Sequence, residues 1–228
     1  MINTLNSDAL YWKRYNKEKE KLIKKIINFN NKSEINYLEN EHYNHTRDLF
    51  ALSLALLPNK KKKINILDYG SNLLTLCNFN NKINSKRFNF FIFDPFEKKI
   101  AHKIIIKNLT YKILNNEKSI TSNKYELLHF GSSIQYEENF LKKLENFDLK
   151  FTKIILFTHT PISLDKSYSS TQSNHLNLIQ HIHSLSRIIA ILKKRKFNLI
   201  FRSRNDDKYI ACKNTKSKTY SLNLIFKK

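Results

Sequence analysis

The spacing of apolar residues changes character near residue 60 of the 228-residue chain. Over 7–29, Leu10, Tyr11, Tyr15, Leu22, Ile23, Ile26 and Ile27 recur at helical spacing, with Ser7 as a candidate N-cap. A second helix is predicted over 45–57, "HTRDLFALSLALL", ended by Pro58 and the lysine run after it; the Asn- and Glu-rich 30–44 connects the two. Beyond residue 60 the apolar runs shorten and gain β-branched and aromatic residues. Strands are predicted at 63–69, 88–96, 109–114, 124–133 and 151–161, and helices at 137–147 and 183–197. Strand-like segments at 198–204, 208–214 and 220–228 follow, where hairpin pairing suits. Short apolar strands alternating with helices predict a mostly parallel sheet covered on both faces, with an antiparallel edge from the final pair. The expected architecture is a three-layer α/β/α Rossmann-like domain over 59–228, with 1–58 as a helical extension packed on its core.

Composition changes this picture little. The net charge of +22 invites a nucleic-acid partner. Yet Lys, Asn and Ile crowd the chain while Gly (2) and Pro (3) nearly vanish, the pattern of an AT-rich coding sequence. That bias does not fully explain 41 basic against 19 acidic residues. The basic residues are spread along the chain without a recognition helix, an RNP motif or a Cys/His finger, so a nucleic-acid partner is not favoured. No apolar run is long enough for a membrane span, and the N-terminal segment lacks a signal-peptide core, so the expected location is cytoplasmic. Cys77 and Cys212 are too few for a disulfide framework or a zinc site. The two histidines of "HIH" (181–183), read on a helix, share no face, and no metal site is expected.

Candidate chemistry gathers at the predicted strand ends. In an open α/β sheet ligands bind beyond the carboxyl ends of the strands. Strand one ends in Asp68-Tyr69-Gly70-Ser71-Asn72, strand two in Asp94-Pro95, the fourth in His129-Phe130-Gly131-Ser132-Ser133 and the fifth in Thr158-His159-Thr160-Pro161. Both glycines of the chain fall here. Gly70 can take φ > 0 and admit a ligand close to the backbone. Asp94 can accept two hydrogen bonds from ribose hydroxyls. Together these are the parts of a nucleoside-cofactor site.

The segments "ILDYGS", "FFIFDPF", "LLHFGSSIQY" and "IILFTHTPIS…STQ" resemble, in order and spacing over about 40–204, a family of bacterial S-adenosylmethionine-dependent methyltransferases of class I fold, often linked with surface-polysaccharide gene clusters. The resemblance implies a seven-stranded sheet with S-adenosyl-L-methionine as cofactor. Asp68, Gly70, Ser71 and Asn72 would border its methionine part, Asp94 its ribose, and Phe130, Gly131 and Ser132 its other side. The polar loop after the fifth strand (158–177) would face the acceptor, a small hydroxyl or amine compound such as a sugar or nucleotide-sugar.

Methyl transfer to a hydroxyl gains from a general base. His129, His159 and His175 are candidates, with His159 preferred for its place at a strand end. Thr160, Gln135, Tyr136 and Gln172 are positioning groups, and with His175 they complete the expected acceptor side. The chain departs from the usual Asp-x-Gly-x-Gly-x-Gly loop at Asn72 and Leu74, and it carries His159 where similar sequences often have Arg. These departures frame the alternative of a methyltransferase-fold binding or scaffold protein without catalysis. The charge frames another, an RNA-associated methyltransferase.

Overall fold

Residues Ile64–Tyr69 form β1, whose side chains alternate between two cores. The computed structural model describes residue 17 and residues 49–58, 63–70, 87–95, 103–106, 109–114, 116–121, 123–172, 178–205 and 218–228. The predicted helix at 7–29 and the predicted strand at 208–214 lie outside the described residues, save for the helical Lys17. The strands after β1 are β2 (Phe88–Phe93), β3 (Lys103–Ile106), β4 (Leu109–Leu114), β5 (Leu127–Gly131), β6 (Ile154–Ser163), β7 (Tyr168–Thr171), β8 (Ile179–Ser184), β9 (Asn198–Arg204) and β10 (Thr219–Lys227). Helices are α1 (49–55), α2 (Glu117–Thr121), α3 (Phe140–Asn146) and α4 (Leu185–Lys194), with a 3-10 turn at Ile134–Tyr136.

Hydrogen bonding orders the sheet β3-β4-β2-β1-β5-β6-β10-β9. The pairs β4–β2, β2–β1, β1–β5 and β5–β6 are parallel. β10 runs antiparallel between β6 and β9, and β3 forms an antiparallel edge on β4. The last strand pair is therefore inserted as a hairpin. Sequence reading missed three strands: β3, and the antiparallel pair β7–β8, which joins the sheet where β8 meets the end of β6 in parallel.

One face of β1 carries Ile64 and Ile66, covered by Leu49, Phe50, Leu54 and Leu57 from α1 and the residues after it. Residues 49–57 thus pack on the sheet. The other face carries Leu67 and Tyr69 under Phe140 and Leu144 of α3 and Ile188 and Leu192 of α4. In α4 the buried Leu185, Ile188, Ile191 and Leu192 make one helical stripe. No helix among the described residues is long and apolar enough to cross a membrane.

A chain with so little glycine places other residues where the backbone turns left-handed: Ser132, His159, Lys196 and Lys218 have φ between 49° and 67°. Lys196 closes α4, its N–H donating to the Lys193 carbonyl while the Phe197 N–H donates to that of Leu192. This is a Schellman cap with lysine where glycine is usual.

Candidate functional site

β2 and β4 lie on one side of β1, and β5 and β6 on the other, so the strand succession reverses at β1. In open α/β sheets ligands bind beyond the carboxyl ends of the strands at such a switch point, here the ends of β1 and β5. Gly70 ends β1 with φ 68°. Its N–H donates to the Phe93 carbonyl at 2.6 Å, which sets Asp94 beside the turn. A Cβ on Gly70 would lie 2.1 Å from Ser133 Cβ, and Ser133 Oγ donates to the Tyr69 carbonyl at 3.0 Å. The backbone approach that requires glycine here is made by Ser133. The expectation that a ligand occupies that space is corrected accordingly.

Asp68, wholly buried, follows Ile64 and Ile66 on the face that α1 covers. In register across the parallel strands, Asp68 faces His129 and Gly131 faces Thr158. Asp68 Oδ1 lies 2.9 Å from His129 Nδ1, and His129 Nε2 lies 2.8 Å from Thr158 Oγ1. The Phe50 ring meets the imidazole edge-on at 5.5 Å. A Cβ on Gly131 would approach His129 Cε1 to 3.1 Å, so the second glycine makes room for this ring. Asp68 Oδ2 has no hydrogen-bond partner among the described residues. Sequence reading offered His129 only as a possible base and placed Thr158 at a strand end without a role of its own. Their alternation with apolar neighbours on adjacent strands was the available signal.

The remaining predicted residues separate into groups. Ser132 donates its N–H to the Thr158 carbonyl at 3.0 Å, and its own carbonyl accepts from Gln135 Nε2 at 2.7 Å. Tyr136 donates its hydroxyl to Gln172 Oε1 at 3.2 Å, joining the 3-10 turn to the end of β7. His159 occupies a bulge where Thr158 and His159 together oppose Asn223, and its N–H donates to Asn223 Oδ1 at 2.9 Å. Asn223 is held by Ser203 and Asn205, a part-buried polar cluster that sequence reading did not find. Two further predicted side chains lie in the interior. Phe130 is wholly buried, stacked on Phe157 at 5.0 Å and packed against Tyr69 and Phe140. Thr160 is wholly buried and donates its hydroxyl to the Thr158 carbonyl at 3.1 Å. Ser71, Asn72 and His175 lie outside the described residues.

No family model matches the sequence, and no curated protein does. Solved structures do match. Magnesium protoporphyrin IX methyltransferase from Synechocystis PCC 6803, with bound SAM, aligns over 100% of both chains at 10% identity and a TM-score of 0.53. The 1,6-didemethyltoxoflavin-N1-methyltransferase of Burkholderia thailandensis, with S-adenosylhomocysteine, aligns over 92% of this chain and 86% of its own at 8% identity and 0.51. Coclaurine N-methyltransferase, bound to N-methylheliamine and SAH, covers 82% and 70% at 8% identity and 0.51. The fold is that of the class I methyltransferases. Leaving out β3, β7 and β8, the seven-stranded core keeps an antiparallel strand, β10, one place in from its end.

Two features of this methyltransferase fold bear on titration. On the α3 side of the sheet, Tyr69 lines a cavity of about 300 Å3 between α2 and α3, with Lys143 and Glu117. Burial, and then the Glu137 carboxylate, push the Tyr69 hydroxyl up and keep it neutral. Burial opposes the charge of Lys143, but Glu117 and Glu137, both ion-paired to it, raise its pKa overall.

The "HIH" histidines sit on strand β8, not on a helix, and therefore share a face. His181 Nδ1 lies 3.0 Å from Ser169 Oγ, and His183 Nε2 lies 3.1 Å from the Ile134 carbonyl. Among the described residues no group of three or more His, Cys, Asp or Glu could hold a metal. Burial lowers His183 to about 4, outweighing the Ile134 hydrogen bond. A folded value below the unfolded 6.5 means stability is fully present above pH 6.5. It falls as pH drops towards 4, where only the unfolded chain takes up the proton. The limit of this loss is about 3 kcal/mol. Urea unfolding at stepped pH is expected to show the fall, and His183→Gln to flatten it; an unchanged slope in the variant would place the effect elsewhere.

Proposed function

We propose that this chain is an S-adenosylmethionine-dependent methyltransferase acting on a small hydroxyl or amine acceptor, sugar-linked in the resemblance that its motifs carry. The supporting observation is the pair of carboxylates flanking Gly70 at the switch point: Asp94 beside the turn, and Asp68 buried with one oxygen unengaged among the described residues. An unengaged buried carboxylate oxygen calls for a donor, and a strand-end aspartate suits ribose hydroxyls. These residues fit the cofactor. Asp94 would hold the ribose, and Asp68, oriented by His129 and Thr158, would receive a donor from the methionine end. When bound, S-adenosylmethionine supplies an electrophilic methyl group on a sulfonium.

The protein's part is alignment and proton removal. The imidazole of His159 takes the proton of an acceptor hydroxyl, and Asn223 fixes the bulge that carries it. Gln135 holds the turn after β5 through Ser132, and the Tyr136–Gln172 bond ties that turn to β7 on the acceptor side.

The test is transfer of tritiated methyl from S-adenosylmethionine to a panel of nucleotide-sugars and aminosugars. His159→Gln is expected to lower kcat about 100-fold or more while leaving S-adenosylhomocysteine binding within about twofold. Equal turnover by both proteins would remove His159 as the base. Cofactor binding without transfer to any acceptor would instead favour a binding protein on this fold.

A further inference from the structure

The strand ends opposite the switch point carry a different chemistry. Lys153 leads into β6, Lys228 follows β10, and Arg195 and Lys196 turn the chain from α4 into β9. Pairing draws them together. The Lys228 N–H donates to the Lys153 carbonyl at 3.0 Å, and Lys228 Nζ donates to the carbonyls of Leu149 and Lys150 at 3.1 and 3.3 Å. Beside them, Lys124 and Lys150 flank the Phe151 ring, 4.3 and 5.7 Å from its centroid. All six cationic residues are exposed. Partial burial lowers the pKa of Lys228, and the charges of Lys153 and Lys196 lower it further.

The acidic side chains at this end are Glu126, buried with its Oε2 accepting the Asn65 N–H at 2.8 Å, Asp148, whose Oδ1 accepts the Lys150 N–H at 3.0 Å, and Glu145. Arg195 bonds the Glu145 carbonyl rather than a carboxylate. Cations at the end of α4 complement its helix dipole, but that accounts for none of Lys124, Lys150 or Lys153, which come from other elements. Crowded like charges repel, and a polyanion relieves the repulsion. Of the apolar residues here, Leu149, Leu192 and Phe197 are buried and the half-buried Phe151 ring is engaged by Lys124 and Lys150, which leaves little for insertion into a bilayer. A phosphate backbone needs only the cations and gains by counterion release.

We propose that this end of the sheet is a docking surface for the phosphate backbone of a nucleic acid, bound without base readout. It lies at the opposite end of the strands from Gly70 and Asp94, so it does not make the nucleic acid the methyl acceptor and stands apart from the methyl-transfer reading.

Fluorescence anisotropy with a labelled single-stranded RNA of about 20 nucleotides, at about 50 and 200 mM salt, tests it. The triple variant Lys150→Gln/Lys153→Gln/Lys196→Asn keeps a residue tolerant of the left-handed turn at 196. It is expected to bind about tenfold more weakly at low salt, with a log–log salt slope shallower by about 2. A control removing the same charge elsewhere, Lys112→Gln/Lys118→Gln/Lys166→Gln, is expected to stay within about threefold. Equal losses in the two variants would overturn the proposal, as would no RNA binding by the parent protein at low salt. Tighter binding to phosphatidylserine vesicles than to RNA, lost in the first variant, would assign the surface to a membrane instead.

Discussion

Gly70→Ala is expected to destabilise the protein by about 3–5 kcal/mol, combining overpacking with a left-handed backbone. The added Cβ would stand 2.1 Å from Ser133 Cβ and 2.2 Å from its Oγ, and φ is 68°. Relaxation is obstructed because Ser133 leads into the 3-10 turn and bonds the Tyr69 carbonyl. Ser133→Ala would leave the Cβ clash, so the informative partner is Ser133→Gly. In a double-mutant cycle by urea unfolding, Gly70→Ala/Ser133→Gly should recover the steric part, with a coupling of about 2 kcal/mol. Additive losses would mean that Ser133 is not what confines the turn.

Asp68→Ala should cost about 3 kcal/mol, because it strands the buried His129 Nδ1 and ends the chain of contacts to Thr158. Asp68→Asn keeps one carbonyl oxygen able to accept from Nδ1 and should lose less than half as much. The imidazole nitrogen shifts of His129 give a second readout. They should report one fixed tautomer in the parent protein and exchange between tautomers in Asp68→Ala. A loss below about 0.5 kcal/mol with unchanged shifts would make the Asp68–His129 contact incidental.

Much of the frame was legible because parallel strands buried on both faces write themselves as short apolar runs. The strands at 109–114 and 198–204 match their predicted bounds, and β1, β2, β5 and β6 lie within or near theirs. β3 escaped because four residues carry too little periodicity to separate them from the neighbouring run. β7 and β8 escaped for another reason: "YSST" and "IQHIHS" are polar, and their extension comes from pairing with each other and with the end of β6. The "HIH" segment was judged on the wrong element for that reason.

At the site, sequence order put both glycines at strand ends but could not say what presses on them. Ser133 reaches Gly70, and His129 reaches across to Asp68, through the register of β1 on β5. That register depends on the whole sheet. Phe130 and Thr160 looked suitable by position alone, while alternation along their strands sends both side chains into the interior.

Whether the carboxylates around Gly70 hold S-adenosylmethionine is decided by calorimetric titration with S-adenosylhomocysteine. Micromolar binding by the parent protein is expected, with a loss of about tenfold or more in folded Asp94→Ala. No heat at millimolar ligand from folded protein, or equal affinity in the variant, would contradict that role.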